Sequence, residues 1–176
     1  MEEKKYAVLL TDNQEIKILE CDPQEEIFEI ARGSLGCEWI ELVEPDALSK
    51  NGYLLLIDEE GKLKDGPMPI NCIASDMYGS DRHGDPIVGN AMIVRAGDER
   101  LMLLTKDEAE MLSTGLEASR DLSVEKISRA FGLQPMPTAE RENMDATRRH
   151  APRARRALPA RLRGRPLRRA TRARPP

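Results

Sequence analysis

The chain has 176 residues, with 27 Lys and Arg, 31 Asp and Glu, and only 3% aromatic residues. Its length suits one domain, and its few aromatic residues argue against a base-stacking surface for single-stranded nucleic acid. The net charge of −4 hides a split, because residues 148–176 hold 12 Arg and no acid, while the other 147 residues carry a net charge of −16. We therefore predict an acidic folded domain over residues 1–133 and a disordered Pro/Arg-rich tail over residues 134–176.

The cysteines and the N-terminus indicate the compartment. Cys21, Cys37 and Cys72 form neither an even set for disulfides nor a C-x-x-C pair. The first residues lead into a strand pattern rather than a signal peptide, and no apolar run approaches the roughly 20 residues that a membrane-spanning helix needs. These features predict a reduced, cytoplasmic protein with no membrane segment.

The first part of the chain predicts a β-hairpin followed by a helix. Residues 6–10 are a compact apolar run that ends in turn residues, and Ile16 and Ile18 then alternate with charged neighbours. The Asp22-Pro23 pair is typical of a helix start, because Asp accepts from free backbone N–H groups and Pro tolerates the first position. Gly33 is placed to end this helix in a left-handed conformation.

The middle of the chain is expected to organise the sheet. Residues 53–57 are apolar at successive positions, which suits a central strand covered on both faces, and residues 39–43 predict another strand. Residues 71–78 predict two turns of helix. Residues 87–94 predict a strand in which Gly89 marks a bulge or a close approach of another backbone.

Two further strands and a fold class follow from the remaining patterns. Residues 62–64 predict a short returning strand, and residues 100–104 predict a strand after a hairpin turn. The chain should therefore fold as a single small α+β domain. We expect a mixed, mostly antiparallel sheet of about five strands with two to four short helices.

The last predicted elements are two separate helices. Thr105 and Glu108 fit a capping box, in which each side chain satisfies a backbone donor of the other residue. The helix that they begin should run to about Thr114. A second helix over residues 124–131 should follow, with Ser123 as its N-cap.

The polar loop over residues 75–85 holds the densest group of candidate ligands. Asp81, His83 and Asp85 at alternate positions resemble the start of a calcium loop, but the later Gly and bidentate Glu of that loop are missing. One His and two carboxylates are few ligands for a metal, so we predict no metal and no cofactor. A solvated loop is the plainer interpretation. The predicted ligand or partner surface consists of Asn71, Asp76, Asp81, His83, Asp85 and Asn90.

A catalytic interpretation depends on Cys72. This thiol could act as a nucleophile with His83 as its base, since His150 lies in the tail, but a buried, inert Cys is the simpler interpretation. Neither a phosphate-binding glycine loop nor a G-x-S-x-G elbow occurs. No catalytic residue is therefore predicted. A small Cys/His or metal-dependent hydrolase stays open as an alternative function.

Several short motifs, in their order and spacing, resemble an uncharacterised family. They lie at residues 39–43 (WIELV), 58–63 (DEEGKL), 69–71 (PIN), 85–91 (DPIVGNA) and 103–105 (LLT). Over about residues 6–113 the chain resembles a domain of unknown function that is common in bacteriophages, prophages and conjugative elements of Gram-positive bacteria. The resemblance implies a non-catalytic accessory protein in the bacterial host cell, with a small α+β fold. We expect it to bind a host protein, such as a defence factor, or a small ligand.

The charge split leaves other functions open. The acidic body could imitate the phosphates of DNA through Glu25, Glu26 and Glu29 of the first helix, although solubility explains the same charge without a partner. The tail could bind nucleic acid, could fold back on the acidic body, or could be an out-of-frame extension, because it uses Arg and no Lys. The first Arg residues expected to contact nucleic acid are Arg148, Arg149, Arg153, Arg155 and Arg156. The oligomeric state is not predicted.

Overall fold

The computed structural model describes residues 4–67 and 69–134, and the predicted tail lies outside this part from residue 135 onward. The described residues form six strands and five helices. In chain order these are β1 (Lys5–Leu10), β2 (Ile16–Cys21), α1 (Ile27–Leu35), β3 (Ile40–Val43), α2 (Asp46–Ser49), β4 (Tyr53–Asp58), α3 (Cys72–Tyr78), α4 (Ser80–His83), β5 (Ala91–Ala96), β6 (Leu101–Met102) and α5 (Lys106–Phe131). The predicted α+β class is confirmed.

The strands form one antiparallel sheet in the order β2-β1-β5-β4-β3. The short strand β6 pairs with the end of β5, where Met102 lies opposite Arg95. Two residues later, Leu104 exchanges backbone hydrogen bonds of 2.7 and 2.9 Å with Tyr6 of β1. The segment that contains β6 therefore fills the space between the diverging ends of β1 and β5.

The predicted central strand is confirmed as β4, which pairs with β3 on one side and β5 on the other. Residues 53–56 of β4 and residues 91–94 of β5 are all buried, so both strands are covered on both faces. Leu55 lies opposite Ile93 in the register, and neither side chain is accessible to solvent. Burying a side chain of this size stabilises a fold by about 1.5–3 kcal/mol, which makes this pair of strands the centre of the core.

The two faces of the sheet have unequal covers. One face packs against α5, α3 and α2 through a core that includes Leu55, Ile73, Ile93 and Leu104. The other face packs against α1 through a core that includes Ala31, Leu35 and Met92. The 26 residues of α5 extend about 39 Å, whereas the nine residues of α1 extend about 14 Å. Since five strands are about 19 Å wide, α1 leaves part of its face uncovered.

The predicted boundaries of the first helix were wrong at both ends. Asp22 forms a turn instead of a cap: its carboxylate accepts the N–H of Gln24 at 2.9 Å, and α1 begins only at Ile27. This local bond competes with helix formation, as Asp side chains often do. Gly33 lies within α1, and the left-handed residue that ends the helix is Gly36, with φ of 69°.

The last two predicted helices are one continuous helix, α5. Its capping box at Thr105 and Glu108 is confirmed, and Gly132 ends it in a left-handed conformation. Ser123 is a buried interior residue of α5, not an N-cap, because its hydroxyl donates to Asp76 of α3 at 2.7 Å. A contact between residues 47 positions apart therefore stabilises a helix at a point where the local pattern predicted a break.

Two predictions in the middle of the chain also need correction, and two short helices were not predicted. Residues 62–64 form a turn rather than a strand, and β5 begins at Ala91 rather than at residue 87. Before β5, Gly89 adopts a φ of 81° and donates its N–H to Pro69 at 2.9 Å, which is the close backbone approach that its position in the sequence predicts. The short helices α2 and α4 were not predicted, because four residues are too few for a periodic pattern.

Candidate functional site

Asn71, predicted to contact a ligand, is fully buried. Its side-chain amide donates to the carbonyls of Leu10 and Gly89, both at 3.0 Å. Its side-chain oxygen accepts the N–H of Ala74 at 3.1 Å and so caps α3. All three bonds are internal, so Asn71 fastens α3 to β1 and is not part of a surface.

Asn90 also connects parts of the fold. Its oxygen accepts the N–H of Asp12 at 3.0 Å, and its amide donates to the carbonyl of Ser34 in α1 at 3.3 Å. The side chain therefore joins the β1–β2 turn to α1. Both asparagines of the predicted surface hold covering elements against the sheet.

Asp76 and Asp81 belong to a network of hydrogen bonds and ion pairs between α3, α4 and α5. Besides the Ser123 hydroxyl, Asp76 accepts from the ammonium of Lys126 at 2.8 Å, and Lys126 lies 3.4 Å from Asp81. Burial alone would raise the pKa of Asp76, but the hydrogen bonds from Lys126 and Ser123 outweigh it and hold the pKa below its usual value. The same hydrogen bond raises the pKa of Lys126. The network stabilises the docking of α5.

His83 and Asp85 complete the predicted surface and point to different partners. The Nε2 atom of His83 lies 3.1 Å from the carbonyl of Tyr78, and its Nδ1 accepts the N–H of Asp85 at 3.3 Å. The carboxylate of Asp85 pairs with Lys62. Since Asp81 faces Lys126 instead, the three side chains do not converge. Within residues 4–67 and 69–134, no group of three or more His, Cys, Asp or Glu could hold a metal ion.

The geometry does not bring Cys72 and His83 together. Cys72 begins α3 and is 3% exposed, whereas His83 packs against Tyr78, at the other end of that seven-residue helix. The two ends are about 9 Å apart along the helix axis, too far for the direct proton transfer that an activated thiol needs. Burial also raises the pKa of Cys37, and raises that of Cys21 to about 11.

A groove of about 510 Å³ lies beside the N-terminus of α1, where the sheet is incompletely covered. Phe28 and Met102 line it, and each of these residues is 42% exposed. The remaining lining residues are Lys5, Pro23, Gln24, Glu25, Glu26, Ile27, Arg100, Leu101 and Leu103. A lining of apolar side chains together with charged groups of both signs suits a ligand that has an apolar body and polar ends.

The sequence did not predict the groove, because the groove is formed by two segments that lie more than 70 positions apart in the chain. Residues 23–28 and residues 100–103 meet only once the sheet has formed. A partial signal existed, since the acids of the first helix suggest a surface for a partner. Of these acids, Glu25 and Glu26 line the groove, whereas Glu29 pairs with Arg32 inside α1. The Arg residues predicted to contact nucleic acid lie outside the described residues.

The fold and the groove define the class of protein as a small α+β domain with one thinly covered sheet face. In its described part, no catalytic or metal-binding groups converge. A family model for a domain of unknown function (DUF3846) matches residues 4–117. The chain belongs to this family. No curated protein and no solved structure matches the chain. Among the described residues, no helix is long and apolar enough to cross a membrane.

The family model covers the whole groove but only part of the network around Asp76. All residues that line the groove lie within residues 4–117, whereas Ser123 and Lys126 lie beyond them. The C-terminal half of α5 and its network with Asp76 therefore extend past the part of the chain that the family model describes.

Replacing Asp76 tests whether the network stabilises the fold. We expect Asp76→Asn to lower the free energy of unfolding by about 1–3 kcal/mol at pH 7, because the neutral amide loses the ion pair with Lys126 and keeps only one acceptor oxygen for two donors. The lowered pKa makes this contribution present above the unfolded carboxyl pKa of about 4, and it disappears as the pH falls through the folded-state value. Urea unfolding at pH 7 and at pH 2 measures both effects.

The control is Asp121→Asn, which changes a carboxylate that is 95% exposed on α5. It should change the stability by less than about 0.5 kcal/mol at either pH. An equal loss in both variants, or a loss for Asp76→Asn that does not decrease in acid, would contradict a stabilising role for the network.

Proposed function

We propose that this protein is a non-catalytic accessory protein of a phage or mobile element that binds a host protein, such as a defence factor, in the groove between α1 and β6. The observation that carries the proposal is the pair of half-exposed apolar side chains, Phe28 and Met102, that face this groove. Large apolar side chains that stay exposed beside a concave surface are typical of interaction sites.

The lining of the groove supports a binding role rather than a reaction. It contains no Cys, Ser, Thr or His, and its Lys and Arg side chains lie with two Glu side chains. Apolar contacts would supply most of the affinity, and the charged groups of the lining would orient the bound segment. The groove volume of about 510 Å³ fits one or two large side chains of a partner protein, or a small ligand.

The host-protein proposal is tested by affinity capture with paired variants of the full chain. Phe28→Ala/Met102→Ala removes the exposed apolar side chains of the groove. Met111→Ala/Leu122→Ala removes two apolar side chains that are more exposed but lie on α5. A host protein bound by the wild type should be retained by the α5 variant and reduced about tenfold or more in the groove variant, as when a central interface side chain is truncated.

Urea unfolding of both variants excludes a folding defect as the cause. The proposal fails if no host protein is retained across a range of salt concentrations, or if both variants retain it equally. Retention of a small molecule instead, released on denaturation and absent from the groove variant, would assign the groove to a small ligand and overturn the host-protein assignment.

A second candidate function is nucleic-acid binding by the tail. It is favoured by the 12 Arg and the absence of acidic residues in residues 148–176. Each phosphate that such residues neutralise releases bound counterions, which gives an affinity that falls steeply with salt. The acidic remainder of the chain would repel nucleic acid, so any binding should depend on the tail.

Fluorescence anisotropy with a duplex DNA oligonucleotide tests this function. The full chain should bind with a strong salt dependence, and a chain ending at Asp145 should not bind. Replacing Arg148, Arg149, Arg153, Arg155 and Arg156 by Gln should reduce the salt slope by about 0.9 for each phosphate that the variant no longer neutralises. Equal binding by the truncated chain would make the tail irrelevant to nucleic acid.

A further inference from the structure

We propose that the free edge of β3 is a second binding surface, independent of the groove, which adds an extended basic segment of a partner protein to the sheet. β3 pairs only with β4, so one side of its backbone has no strand partner among the described residues. The Glu59 N–H donates to the Trp39 carbonyl at 3.1 Å, which fixes the alternation of the ladder. Ile40 and Leu42 therefore direct their N–H and C=O groups outward.

The two faces of this edge differ in chemistry. Trp39 and Glu41 lie on one face of β3, next to Glu59, since residues two apart on a strand share a face. Leu42 lies on the other face opposite Leu56, and it is 40% exposed. An added strand would therefore meet carboxylates and an indole on one face and an aliphatic surface on the other.

The charge of the edge identifies the partner. Four carboxylates near this edge have no ion pair in the described part of the chain, namely Glu41, Glu44, Glu59 and Glu60. The neighbouring Asp58 instead pairs with Lys64. Trp39 is 59% exposed, and an indole face attracts Lys or Arg. The matching segment alternates cationic residues, which would face Trp39 and the carboxylates, with apolar residues beside Leu42.

The other edge of the sheet is protected. β2 carries Lys17, which pairs with Glu15, and its Glu20 pairs with Lys4. Lysine on an edge strand is a common protection against pairing with another chain. β3 contains no lysine, so among the two edges it is the one open to an added strand.

The probe is a synthetic peptide of alternating Arg and Val, three of each, with blocked ends. Its Val residues would lie opposite Ile40 and Leu42 and supply the hydrogen bonds, so N-methylation of the Val amides removes those donors and keeps the charge. Trp39 is the single Trp of the chain, and its fluorescence reports binding at this edge. At about 20 mM salt, where surface charges are weakly screened, we expect a saturable fluorescence change.

Binding should weaken about tenfold or more with the N-methylated peptide and in Glu41→Lys/Glu59→Lys. The variant Asp121→Lys/Glu125→Lys makes the same charge change on α5 and should bind within about twofold of the wild type. The groove variant Phe28→Ala/Met102→Ala should also bind normally, which separates this proposal from the groove. No saturable change, equal binding of the N-methylated peptide, or an equal loss in the α5 variant would overturn it.

Discussion

Burial of β4 and β5 on both faces is the constraint on which the rest of the structure depends. Four successive positions in each strand carry apolar or small side chains that must be shielded from water on opposite sides of the sheet. Covers are therefore needed on both faces. α5 provides a long one and α1 a short one, and the groove between α1 and β6 is the part of the second face that the short helix does not reach.

Polar side chains then fasten these covers to the sheet. Asn71, which is buried, and Asn90 and Asp76, which are partly buried, each bridge separate elements through hydrogen bonds. Such residues resemble ligands in a sequence, because clusters of Asn and Asp are typical of binding sites. Here their bonding groups are used inside the fold. The surfaces left for partners are formed instead by apolar side chains and by an unpaired strand edge.

The sequence predicted a strand at the position of each of the six observed strands, because continuous apolar runs depend on local order, but it also predicted a strand at residues 62–64, which form a turn. The capping box at Thr105 is another local pattern, and it was predicted correctly. It failed at Asp22, where a turn competes with a helix cap, and at Ser123, where a distant partner stabilises a helix interior. The groove required Phe28 and Met102 to be neighbours, which only the assembled sheet determines. Periodic patterns of apolar residues indicate which positions are buried, but they do not indicate which distant residues become neighbours in the fold.

Hydrogen exchange in the native state measures most directly whether β4 and β5 form the stable centre. The amides of Leu56 and Met92 lie opposite each other and direct their N–H groups between β4 and β5. They should exchange only through global unfolding, with a free energy of opening equal to that from urea unfolding. Amides of β3 and the N-terminus of α1 should open at lower free energy. If Leu56 and Met92 exchanged as readily as the β3 edge, the doubly covered pair would not be the element that holds the fold together.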